Sequence, residues 1–275
     1  DRLRDLEAEI GLPEHPEFAS YHLMFAGTSS PKSADDLSGL DTPALVSYLA
    51  TWTPADGITE ASRSGLGNVV STMAKASPER FSVEAEAFKG VRAAYVDGLL
   101  TGLAAAVRDK RPLRWGPVLA LASWAVEQPD EDRSGRRHDL ESNWSWVRKT
   151  VADLLAEGLR VPTSGIVIED RAATWALLCK LVADKSPTAS QDCQNDRSAM
   201  SPVELAINSV RGVAVEAAIE YGVWVQGHVS SSEGTPRTLS DCPELRLKVE
   251  SLLDPAVEPT RAVRAVLGRS FPRLV

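Results

Sequence analysis

The sequence predicts an all-α protein of about ten helices, stacked as antiparallel pairs and joined by long polar loops. Three observations carry that expectation. Apolar residues recur at three- and four-residue steps through most of the chain, while alternating strand patterns are scarce. A Val-Arg step returns at 91–92, 147–148, 210–211 and 263–264, spaced by 56, 63 and 53 residues, with a fifth copy, 107–108, out of register. Each in-register copy falls in the first half of the second helix of a pair: 82–89 with 91–109, 114–128 with 141–159, 166–184 with 202–227, and 244–253 with 260–269.

The elements follow in order. Residues 1–41 read as an N-terminal helix, opening on the charged amphipathic "DRLRDLEAEI", and an extended polar segment; residues 42–275 read as the helical-repeat domain. "TPALVSYLATW" (42–52) offers Thr42 as an N-cap with Pro43 at the first helical position. In 91–110 the stripe is Val96, Leu99, Leu100, Leu103 and Val107. Helix 114–128 follows the break at Arg111-Pro112, and 141–159 aligns Trp144, Val147, Val151, Leu154 and Leu155. "GIVIED" (165–170) could be a strand, but nothing pairs with it. The longest helix is expected at 202–227, with Ser201 as cap, Pro202 in the first turn and Glu204 at the positive end of the dipole. The loops 27–39, 128–139, 184–199 and 227–240 are polar and resist packing, and the last two are expected to be partly disordered.

An acidic residue precedes each in-register arginine by six or seven positions: Glu86, Glu141, Glu204 and Glu258. Seven residues is two helical turns and six is not, so pairing within one helix fails as a common explanation, whereas pairing between neighbouring pairs tolerates the variation. Stacked pairs with this step resemble HEAT or armadillo-type α-solenoids, most closely in "DPAVEPTRAVRAVLG" (254–268). The resemblance implies a polar ladder between successive repeats, with Asp254 and Arg264 in it. Its period here is longer than usual, and only the last copy has the Asp-Pro. "AINSVRG" and "RAVRAVLGRSFPRLV" are also similar to helical regions of very large bacterial multidomain proteins, some of the phage-defence NTPase type. That likeness implies a sensor or scaffold segment of a longer chain.

Bulk properties exclude several functions. A net charge of −8 argues against nucleic-acid binding, for which "RSGRRHD" (133–139) is the one dense basic candidate. Three cysteines without CxxC spacing, and four histidines without HExxH or HxH spacing, fit neither a disulfide framework nor a metal site. No apolar run reaches membrane-span length. The expected setting is reducing and cytoplasmic, with no cofactor. "SGLGNVV" (64–70) follows no strand, so its glycines read as a cap or turn and not as a phosphate loop. Cys179 reads as a buried small hydrophobe, and His138-Asp139 as a solvated loop.

The candidate binding residues are Trp144, Trp146, Arg148, Asn208 and Arg211. Trp144 and Trp146 lie two apart and face different ways, so the helix is either covered on both sides, the expected case, or shows one indole to a partner. In "AINSVRGVAVEAAIEY" small residues permit close helix approach, and Asn208 and Arg211 could bond a neighbouring helix or loop. The leading expectation is a non-enzymatic scaffold or sensor segment that binds a protein partner or other domains of its own chain. The alternative is a ligand-binding or enzymatic helical domain with its site near Trp144, Arg148, Asn208 and Arg211. A third reading is nucleic-acid binding through 133–137.

Overall fold

In the computed structural model, which describes residues 29–54, 61–130, 142–195, 201–229 and 239–274, the chain is all-helical. Among those residues the α-helices are α1 (Ala34–Ser38), α2 (Thr42–Thr51), α3 (Arg63–Ala76), α4 (Pro78–Val83), α5 (Ala93–Arg108), α6 (Trp115–Val126) and α7 (Trp144–Arg160). They continue with α8 (Arg171–Val182), α9 (Ala189–Asn195), α10 (Pro202–Ile207), α11 (Val210–Val229), α12 (Pro243–Leu253) and α13 (Arg261–Ser270). No strand occurs among them; the bridge between Ser29 and Ala61 is isolated. "GIVIED" therefore forms no strand. Its end is a 3-10 turn, Ile168–Asp170, that leads into α8.

Five helices pack on one another in chain order. One row runs α3 on α5, α5 on α7, α7 on α11 and α11 on α13. A second layer covers it: α2 touches the 3-10 turn Ala85–Phe88, which packs on α6, and α6 packs on α8. The apolar stripes read from sequence line the contact, and Val96, Leu99, Leu103, Val147, Val151 and Val263 are all buried. Leu37 of α1 joins the same core.

Four local expectations are corrected. The cap of α2 is Asp41, whose carboxylate accepts from Ala44 N; Thr42 is buried one position inside, bonded to Glu84 and Arg80. The stretch expected as one helix over 202–227 breaks at Asn208-Ser209. There Ser209 Oγ donates to Ala206 O, and a side chain at Gly212 would stand 2.1 Å from Ala206 O, so only glycine lets α11 fold back on α10. The polar segment 184–199 is not idle: it contains α9, whose buried Asp192 accepts the Arg261 and Ala262 N–H groups at the start of α13. Residues 230–238 of the other expected disordered loop lie outside the described residues, as do the "DRLRDLEAEI" segment and the loop 133–137.

The glycines of "SGLGNVV" form neither a turn nor a cap; they sit inside α3. A Cβ at Gly67 would meet Ala94 O at 2.5 Å, one at Gly98 would meet Gly67 O at 2.1 Å, and one at Gly102 would meet Ser71 O at 2.3 Å. Three glycines thus bring the backbones of α3 and α5 together. Because the obstacle is backbone, neither helix can yield by moving a side chain. Gly98→Ala is expected to cost about 3 kcal/mol in urea unfolding. Gly116→Ala, on α6 with open space around it, is expected to stabilise by about 0.5–1 kcal/mol. Equal effects from the two changes would contradict the close approach.

Candidate functional site

Helix α7 begins at the Asn143 cap, whose side chain accepts from Trp146 N at 3.0 Å. That start fixes the rotation of the helix. Trp144 turns inward and meets Trp124 of α6 edge-on, with ring centroids 5.4 Å apart. Trp146 turns outward and is 60% exposed. The expectation of cover on both sides is therefore corrected: one indole faces solvent, because two positions on a helix are 200° of rotation apart.

Arg148, one turn beyond Trp144, is buried and touches two loops. Its guanidinium donates to Gln128 O at 3.1 Å and reaches Asp130 at 2.6 Å, both in the loop between α6 and α7. Its Nε lies 2.7 Å from Asp184, just past α8, in an ion contact that is not aligned as a hydrogen bond. Arg211 repeats this arrangement one pair later. It donates to Val182 O (3.3 Å) at the end of α8 and to Pro187 O (3.1 Å) in the loop between α8 and α9, and it pairs with the buried carboxylate of Glu258 in the loop between α12 and α13. Arg264 then donates to Glu258 O. Each guanidinium thus holds its own pair's loop by carbonyls, and Arg148 and Arg211 also take an acid from the next pair.

Of the acids preceding the arginines, Glu258 makes the cross-pair contact. Glu86 pairs with Lys89, Glu204 closes the capping box with Ser201, and Glu141 lies outside the described residues. Asp254 does not take the ladder position that the resemblance implies; its side chain accepts from Ala256 N. Arg92 is exposed at the start of α5. Asn208 is exposed and serves the end of α10, donating to Glu204 O at 2.9 Å.

A second set of ion pairs crosses the row further along. Arg108 of α5 meets Glu157 of α7 at 3.4 Å, and Arg160 meets both Glu157 (3.4 Å) and Glu220 of α11 (2.7 Å). Arg273 closes on the same Glu220, and Arg269 of α13 reaches Glu216 at 2.9 Å. Burial pushes the Glu220 carboxyl up, but the bonds from Arg273 and Arg160 outweigh it and hold the group below its ordinary value.

Two open hollows mark the surface. One, of about 440 Å³, is lined by Ser71, Thr72, Lys75, Ala76, Asp109 and Arg111. The other, of about 420 Å³, is lined by Ile168, Glu169, Arg171, Ala172, Trp175, Tyr221 and Glu244. Beneath the second, Tyr221 Oη donates to Glu244 Oε1 at 2.7 Å while Arg171 pairs with that oxygen at 2.6 Å. Burial pushes Glu244 up, and Arg171, its own backbone N–H and Tyr221 bring it down to about 2. Burial pushes the nearby Cys242 thiol up to about 11. Cys179, expected as buried, is only half-buried. Sequence reasoning missed this second hollow because its residues come from four elements spread from Ile168 to Glu244, and no local spacing announces them. Trp144, Arg148, Asn208 and Arg211 line neither hollow. No group of three His, Cys, Asp or Glu among the described residues is placed to hold a metal, and no helix among them is long and apolar enough to cross a membrane.

Removing one member of a desolvated pair strands the other charge. With both side chains 10% exposed, Arg148→Ala is expected to cost about 3 kcal/mol, read as a shift in the urea midpoint. A cost below about 0.5 kcal/mol would show that Asp184 has water enough without it. The acids predict a pH dependence of definite sign. Glu220 and Glu244 are held below the glutamate value of 4.5, so at low pH the unfolded chain takes up protons that the folded chain resists. Their contribution is full above about pH 5 and drains away as pH falls toward 2. Denaturant unfolding at stepped pH should show the loss, and Glu244→Gln should flatten it.

No protein family, curated protein or solved structure matches this chain, so its site is read from its own geometry.

Proposed function

We propose that the chain is a HEAT-like α-solenoid, a non-enzymatic scaffold or sensor segment that engages a protein partner or other domains of a larger bacterial protein in the cytoplasm. The observation that carries this reading is the pairing of Arg148 with Asp184 and of Arg211 with Glu258. In both, a second-helix arginine reaches the acid in the following pair's loop. Such a contact propagates one way along a row and suits an open-ended array, in which each unit touches only its neighbours. The chain-order packing of α3, α5, α7, α11 and α13 supports the same reading.

Trp146 supports the binding role. A large indole left in water costs solubility, and tryptophan is enriched among residues that anchor interfaces. The rival reading, a ligand or catalytic site near Trp144, Arg148, Asn208 and Arg211, draws less support. Arg148 and Arg211 spend their donors on loop carbonyls and acids, and Asn208 spends its amide on its own helix.

The test is Trp146→Ala in the full-length protein, followed by affinity capture and thermal melting side by side. Melting is expected to stay within about 2 °C, because an exposed side chain contributes little to folding. A partner retained by the unaltered protein should be lost. Retention of every partner by the variant would remove Trp146 from the interface, and early melting would make it structural.

A further inference from the structure

The second layer is interrupted at one place. Helix α6 packs on α8, but α8 and α12 do not pack on each other in the same way. The gap is the 420 Å³ hollow floored by Tyr221 of α11. Its α8 wall is Trp175, half-buried and stacked on Tyr221 with centroids 5.0 Å apart and planes 27° apart. Across from it stands Glu244 at the start of α12, and on the rim stands Glu169, exposed.

The charges around the hollow do not balance. Among the described residues its lining carries Glu169 and Glu244 against Arg171, and Arg171 is already committed to Glu244 and Tyr221, which leaves the charge of Glu169 unmatched. Asp170, beside Glu169, has its carboxyl pushed up by burial and then by Glu169 itself. The exposed Glu169 carboxylate therefore faces solvent beside an aromatic wall, with Arg171 already bound to Glu244.

An aromatic side chain beside a carboxylate is the chemistry that holds an ammonium or guanidinium group, by cation–π attraction together with ion pairing. We propose that the hollow between α8 and α12 receives a lysine or arginine side chain of a protein partner, laid over Trp175 and paired with Glu169. A protein side chain is the source because the hollow is open: a small free cation would keep most of its water there, whereas a tethered one is held by contacts outside the hollow. This rests on the scaffold reading but uses a different surface from Trp146.

The probe is a nine-residue peptide alternating arginine and glycine, titrated into the full-length protein and followed by tryptophan fluorescence and calorimetry. An acidic counterpart alternating glutamate and glycine serves as control. Binding of the basic peptide alone is expected, and Glu169→Lys should weaken it about tenfold while leaving the melting temperature unchanged. Glu127→Lys makes the same charge reversal at an exposed position just past α6 and should change affinity by less than about twofold. Trp175→Leu should also weaken binding; if that variant melts early, Glu169→Lys decides alone. Equal weakening by Glu127→Lys would mean only general attraction to an acidic protein and would overturn the proposal, as would no binding. A Trp146-dependent partner that persists after such a failure would leave the scaffold reading standing.

Discussion

A guanidinium taken out of water needs an anion close by, and here the anion comes from the next pair of helices. Arg148 and Arg211 sit near the starts of α7 and α11, where apolar neighbours exclude solvent. Left alone, each charge would cost several kcal/mol; joined to Asp184 or Glu258, each obliges the following loop to stand at one place. The apolar stripes alone would let helices slide along one another, since methyl groups are indifferent to register. The charge pairs are not: each ties one loop to one place on its neighbour.

The two ion systems divide that work. Near the starts of α7, α11 and α13 the arginine contacts are mostly sheltered from solvent and tie down the loops. Further along, Arg108, Glu157, Arg160, Glu220, Arg269 and Arg273 lace four successive helices in a half-exposed chain. Exposed pairs contribute little singly, but Glu220 is nearly inaccessible and serves two arginines, so it couples α7 and α11 to the turn after α13. Between α3 and α5 the means are different: three glycines replace charge with direct backbone contact. The start and the rest of the row are thus held by distinct physical devices.

Much of this was legible in the sequence. The periodicity of 91–110 and 141–159 locates α5 and α7, and the Val-Arg step points to Arg148, Arg211 and Arg264. The unequal six- and seven-residue offsets correctly pointed away from pairing within one helix. What could not be read was which acid each arginine meets, because that depends on loop geometry: Glu258 fits the pattern, whereas Asp184 lies in no pattern at all. The break at Asn208-Ser209 was hidden for a related reason. Both residues are acceptable within a helix, and only the close approach of Gly212 to Ala206 reveals the fold-back. The glycines of α3 misled because a glycine pair looks the same in sequence whether it frees a turn or admits a neighbouring backbone. The hollow at Trp175 left no trace, being made by the absence of packing between two helices.

The most direct measurement is a double-mutant cycle on Arg211 and Glu258, with Arg211→Ala, Glu258→Ala and the double change compared in urea at neutral pH. If successive pairs are locked together by this contact, the single losses should exceed the double loss by a coupling of about 2 kcal/mol. Additivity within about 0.5 kcal/mol would show that the two residues fold independently, and that stacking is set by apolar contact alone.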